Sequence, residues 1–156
     1  MEWALLGVGI WLYVRSRGSG LPTPTTPDTE RETLARVIRS EIGNGTYAQK
    51  VAVAWVTRNL AAERRQTLTQ MACSPCGPQV GNTRPVSTRQ DATARDREVA
   101  TAVLSGDVPD PTGGATHFLS PAGLGTKYAE VRARWLGWGW RPVTVVSDAK
   151  LEIWRA

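Results

Sequence analysis

Leu34, Val37, Ile38 and Ile42 recur at i, i+3, i+4 and i+8, the spacing of a helix with one core-facing stripe. The i+7 place on the same stripe is taken by Glu41. A capping-box pattern, Thr29-Glu-Arg-Glu32, predicts where this helix begins, and Gly43-Asn-Gly45 predicts where it stops. A carboxylate therefore stands where the pattern asks for an apolar side chain.

Residues 48–65 predict a second helix. Its first half, V-A-V-A-W-V, is apolar all round, as a centrally buried helix should be. Asn59 follows Trp55 by four and Val56 by three and is expected to point inward. A short helix is expected at 68–72, and Thr88-x-x-Asp91 is expected to cap a third long helix ending near Ser105-Gly106. Residues 73–86 are turn-rich, with Pro75, Gly77, Pro78, Gly81 and Pro85. Residues 115–119 read as a strand and 128–136 as a helix. Residues 142–146 and 151–154 read as strands that pair across a turn at 147–150. The sum is a mainly α domain with a small β element, an α+β fold class.

Ahead of this domain the pattern changes twice. Residues 3–14 form an uncharged apolar run, too short for an ordinary membrane-spanning helix. Residues 18–27, G-S-G-L-P-T-P-T-T-P, are a Pro/Gly linker that cannot join a core. The expected organisation is an apolar segment at 1–17, a linker at 18–27 and a folded domain at 28–156. The apolar run suits a weak anchor, a signal-like segment, or docking on a membrane or a virion assembly.

The chain has 156 residues, 41% of them hydrophobic, enough for one domain with a real core. Its net charge is +5, carried almost wholly by arginine, with lysine only at Lys50, Lys127 and Lys150. A basic surface suits an anionic partner, an acidic wall polymer among them. No basic cluster is interleaved with aromatics, so nucleic acid is not an expected partner. The single C-x-x-C pair, Cys73 and Cys76, is too few for a four-cysteine zinc site, and His117 is remote in sequence, so no metal or other cofactor is called for. The pair reads first as a local disulfide, then as free thiols, and last as a redox site.

Glu41 then has two readings. It is a boundary carboxylate tied to a neighbour, or a general acid kept protonated by an apolar pocket. Glycosidic cleavage uses such an acid, commonly with a second carboxylate. Asp110 precedes proline and reads as a turn residue rather than that partner. Gly113 and Gly114 allow a positive-φ turn or the close approach of a sugar. His117 is a boundary residue or a hydrogen-bond donor at a sugar cleft. In Trp135-Leu-Gly-Trp138-Gly-Trp140 at least one ring is expected in the core and one, Trp138, along the groove. Tyr47, just after the glutamate turn, is a further groove candidate.

The stretch from Leu34 to Asn59, L-A-R-V-I-R-S-E-I-G-N-G-T-Y-A-Q-K-V-A-V-A-W-V-T-R-N, resembles the opening of the cell-wall hydrolases related to the spore-cortex-lytic enzyme SleB. Asp110 to Phe118, D-P-T-G-G-A-T-H-F, resembles a second segment of that family. The resemblance implies a lysozyme-like fold and cleavage of peptidoglycan between N-acetylmuramic acid and N-acetylglucosamine. It also implies that Glu41 is the catalytic acid, and Asn59 matches the family's helix asparagine, read first as a core hydrogen-bonding residue and second as one that positions backbone or substrate. With no partner carboxylate evident, a lytic transglycosylase is expected. The location implied is the cell envelope, periplasmic or membrane-anchored, or a phage virion. The alternative is a non-catalytic peptidoglycan-binding or structural component of such an assembly.

Overall fold

A proline opens the first helix of the domain. Pro27 suits that place because its missing N–H has no helical partner to lose. The computed structural model describes residues 27–72, 90–146 and 151–155. The expected apolar segment, nearly all of the linker, Cys73 and Cys76, and the turn at 147–150 lie outside the described residues.

Helix α1 spans Pro27–Ile42. It therefore starts ahead of the Thr29 box expected from sequence. Glu32 accepts from Arg36 Nε at 3.0 Å and from Arg97 Nε at 2.8 Å. Two arginines compete for the carboxylate that a capping box would need. Helix α2 spans Tyr47–Glu63 and opens on a true capping box. The Thr46 hydroxyl accepts from the Gln49 N–H, and the Gln49 side chain accepts from the Thr46 N–H at 2.8 Å. Helix α3 spans Leu68–Ala72. Its start is pinned to α1, because Glu30 accepts from the Leu68 N–H at 2.8 Å.

Helix α4 spans Ala94–Ser105, and its cap is Thr93 with Asp96, not Thr88 with Asp91. The same T-x-x-D pattern occurs twice. Only the second places its aspartate against a buried lysine, and tertiary contact decides between them.

The β element is a three-stranded antiparallel sheet in the order β1-β3-β2. Strand β1 spans His117–Leu119, β2 spans Arg141–Val146 and β3 spans Leu151–Arg155. The expected pairing of β2 with β3 is present, interrupted by an irregularity between Pro142 and Thr144. Strand β1 also pairs with β3, with His117 opposite Trp154. Helix α5, Pro121–Leu124, and a 3₁₀ turn at Gly125–Lys127 lead into helix α6, Tyr128–Gly137.

Alternation along β3 builds three layers. Leu151 and Ile153 pack with Ala52, Val53 and Val56 of α2. Trp154 packs on the opposite face with Val131 and Trp135 of α6 and Leu119 of β1. On the far side of α2, Leu34 and Ile38 of α1 meet Met71 of α3 and Val99 and Val103 of α4. Helix α2 is thus covered by helices on one side and by the sheet on the other, which is why its Val51–Val56 stretch is apolar all round. Each wholly buried large side chain, such as Leu34 or Ile38, contributes about 1.5–3 kcal/mol. Among the described residues no helix is long and apolar enough to cross a membrane.

Candidate active site

The last turn of α1 carries Glu41 one turn beyond Val37, at the mouth between the helical layer and the sheet. A cleft opens there. Val37, Val56, Leu60, Met71, Phe118 and Trp135 give it apolar walls, and Glu41, Thr57, Thr116 and His117 its polar points. Glu41 is the sole carboxylate among these lining residues. Burial penalises its charged form and pushes its pKa up to about 7. Its place at the C-terminal end of a helix, where unpaired carbonyls gather, disfavours a negative charge further.

The turn after Glu41 is held from below. Gly43 adopts φ +48°, and Gly45 has no room for a side chain, since a Cβ there would lie 2.5 Å from Ile42. The Gly43 carbonyl accepts from the Lys50 ammonium at 2.6 Å, and the same ammonium lies 2.5 Å from Asp96. Lys50 and Asp96 are both buried. One ion pair therefore joins the end of α1, the body of α2 and the start of α4. Burial opposes the charge on Asp96, but the hydrogen bonds from Lys50 and Thr93 outweigh it and hold its carboxyl below the usual range. Lys50 was not singled out from sequence, although a charge on an all-apolar helix raises the same question as Glu41.

His117 stands across the cleft at the start of β1. Burial, and then the charge of Arg64, push its pKa down to about 4, so the imidazole is neutral over most of the acidic range. Its Nδ1 is hydrogen-bonded to the Thr116 hydroxyl at 2.9 Å, which leaves Nε2 as its other bonding atom. Trp140 covers the ring at 4.2 Å between centroids, and Trp135 meets it edge-on at 5.8 Å.

Asn59 lies behind this wall rather than on it. Its amide donates to Asp110 at 3.0 Å, to the Ala115 carbonyl at 3.1 Å and toward the Thr112 hydroxyl at 3.2 Å. Asp110 also accepts from the Thr112 and Gly114 N–H groups. Partial burial works against the Asp110 charge, but these donors prevail and keep its carboxyl below the ordinary range. Asp110 is therefore the hub of a loop, as its turn reading expects. Gly113 at φ +60° and Gly114 at φ +83° complete that loop, and Arg155 donates to the Gly113 carbonyl.

Of the sequence-derived candidates, the structure brings Glu41 and His117 into the cleft. Asn59, Gly113 and Gly114 shape the loop that delivers His117 and do not line it. Tyr47, 39% exposed, stands at the start of α2 beneath Arg95 and is not a lining residue. Trp138, 56% exposed, is outside as well, and Trp135 takes the wall position expected of it. Trp135 lies four residues after the buried Val131, an inward spacing that was there to be read. Among the described residues no three histidine, cysteine or acidic side chains converge to hold a metal ion.

A helical layer and a small antiparallel sheet that face each other across a cleft with a half-buried glutamate make up a lysozyme-like α+β domain. The particular fold is that of the SleB catalytic domain. The chain superposes on the catalytic domain of the germination-specific lytic transglycosylase SleB from Bacillus anthracis with a TM-score of 0.57. That match covers 85% of this chain and 98% of the other, at 16% identity. The catalytic domain of the Bacillus cereus SleB protein gives a TM-score of 0.56 at 16% identity, over 89% and 100% of the two chains. No protein-family model matches the chain, and no curated protein matches it.

Proposed function

We propose that this domain cleaves the glycan strands of peptidoglycan as a lytic transglycosylase, with Glu41 as its one catalytic carboxyl group. The observation that carries the reading is a glutamate with a pKa of about 7 as the sole carboxylate lining an apolar cleft. The fold shared with SleB catalytic domains supports the same reading.

Protonated Glu41 gives its proton to the glycosidic oxygen between N-acetylmuramic acid and N-acetylglucosamine. The bond from muramic C1 to that oxygen breaks, and the N-acetylglucosamine side leaves as an alcohol. The muramic 6-hydroxyl attacks C1, and its proton passes to the Glu41 carboxylate. The acid is regenerated, no water is consumed, and the product end is a 1,6-anhydro sugar. A hydrolase would need a second group to hold a water or form an adduct, and among the described residues the cleft walls supply no second carboxylate. Neutral His117 contributes a hydrogen bond to the sugar through Nε2. Asn59, Gly113 and Gly114 act through the loop that positions it. The substrate places the protein in the cell envelope.

Purified sacculi treated with wild-type protein should release soluble muropeptides with anhydro ends, and Glu41→Gln should release none. Reducing ends without anhydro products would replace transglycosylation by hydrolysis. No release from wild type would overturn the enzymatic reading.

A further inference from the structure

Three rings lead out of the cleft. His117 lies on its wall, Trp140 covers His117 at 4.2 Å, and Trp138 meets Trp140 at 5.5 Å and 66°. Each step is a direct ring contact, so the rings link the cleft wall to the surface. Trp138 ends it and is 56% exposed, an expensive place to leave an indole without an occupant. Gly137 and Gly139 flank it, and a side chain added at either would meet nothing within 4 Å. The corner is therefore open on both sides of the ring. Arg141 sits at the same corner, its guanidinium held by the Trp140 carbonyl at 2.9 Å while the residue stays exposed.

We propose that Trp138 and Trp140 form a second saccharide-binding site, outside the cleft, that takes sugar rings of the same glycan strand beyond the bond being cut. The inference rests on the glycan-cleaving reading above. Its occupant is chosen by continuity: a polymer that leaves the cleft past His117 meets Trp140 and then Trp138. Flat indole faces suit the apolar faces of sugar rings. The Arg141 charge suits a strand whose stem peptides bear carboxylates. The site makes the protein prefer long strands to short ones.

The test uses the full chain carrying Glu41→Gln, so that ligand is bound and not cut. Binding of a peptidoglycan disaccharide and of strands of six or more sugars is followed by calorimetry. The long strand should bind more tightly, and Trp138→Ala should reduce that preference about tenfold. Trp138→Phe, which keeps a flat ring, should retain most of it. A preference unchanged in Trp138→Ala, with both proteins melting at the same temperature, overturns the proposal. Trp138-dependent binding to anionic vesicles, with glycan binding unaltered, also overturns it, in favour of a lipid surface. A dimer that Trp138→Ala dissociates, with glycan binding unaltered, overturns it in favour of self-association. Length preference that needs Trp138, in a protein that releases no muropeptides, keeps the site and removes the catalysis. Glu41-dependent cleavage with no Trp138-dependent preference does the reverse, and no glycan binding at all removes both.

Discussion

Glu41 and His117 face one cleft from opposite layers, and burial shifts their pKa values toward each other's ordinary range: the acid up to about 7, the base down to about 4. Between those values both are uncharged. The proposed mechanism needs Glu41 protonated and His117 neutral. Cleavage of sacculi should therefore hold a plateau between about pH 4 and about pH 7. It should fall on the alkaline side as Glu41 ionises, and on the acid side as His117 takes up a proton. A rate profile on purified sacculi checks both limbs, and an alkaline limb unmoved from the ordinary carboxylate range would remove Glu41 from the acid role.

The same shifts set the sign of stability against pH. Glu41 has a folded pKa above its unfolded value of about 4.5. Its ionisation therefore lowers stability progressively as pH rises from about 4.5 to about 7. His117 acts in the other direction, and its contribution is lost as pH falls from about 6.5 toward about 4. Glu41→Gln should accordingly inactivate the protein and stabilise it at pH 8, by about 1–3 kcal/mol. Urea unfolding of the two proteins at pH 4 and pH 8 reads the effect, which should vanish at the lower pH.

Lys50→Met leaves Asp96 buried without its cation and releases the Gly43 carbonyl. Loss of one partner of a buried pair costs about 3–5 kcal/mol. The double variant with Asp96→Asn should lose less than the two single losses added together, because the pair is coupled. Urea midpoints for the cycle measure this, and strict additivity would show that the pair does not act as a unit.

Asn59→Leu removes the donor shared by Asp110, Thr112 and the Ala115 carbonyl. A cost of about 1–3 kcal/mol is expected from acceptors left unsatisfied. Amide hydrogen exchange should rise across residues 110–118 and stay unchanged in α4. The rate of cleavage should fall with it, since the loop sets the place of His117.

The sequence disclosed most where a residue broke its own pattern. Glu41 on an apolar stripe, and an apolar-all-round α2, were legible because helix periodicity is local. The pairing of β2 with β3 was legible for the same reason. What was hidden depended on distant partners. Thr88 and Thr93 carry the same capping pattern, and Lys50, more than forty residues away, favours the second. Strand β1 pairs with β3 across α6, which no local pattern announces. Trp135 and Trp138 are alike in composition, and only their register against Val131 sends one to the wall and leaves the other at the surface.

Strand β3 is central in the sheet but follows β1 and β2 in the chain. During synthesis β1 leaves the ribosome first and has no strand to pair with until residues 151–155 follow. Trp154, which backs the wall formed by Trp135, arrives with them. Until then the strand that carries His117 and Phe118 of the cleft wall lacks the strand it pairs with. A chain clipped ahead of β3 would therefore keep every residue that lines the cleft and lose the strand that holds β1 in place against the helices.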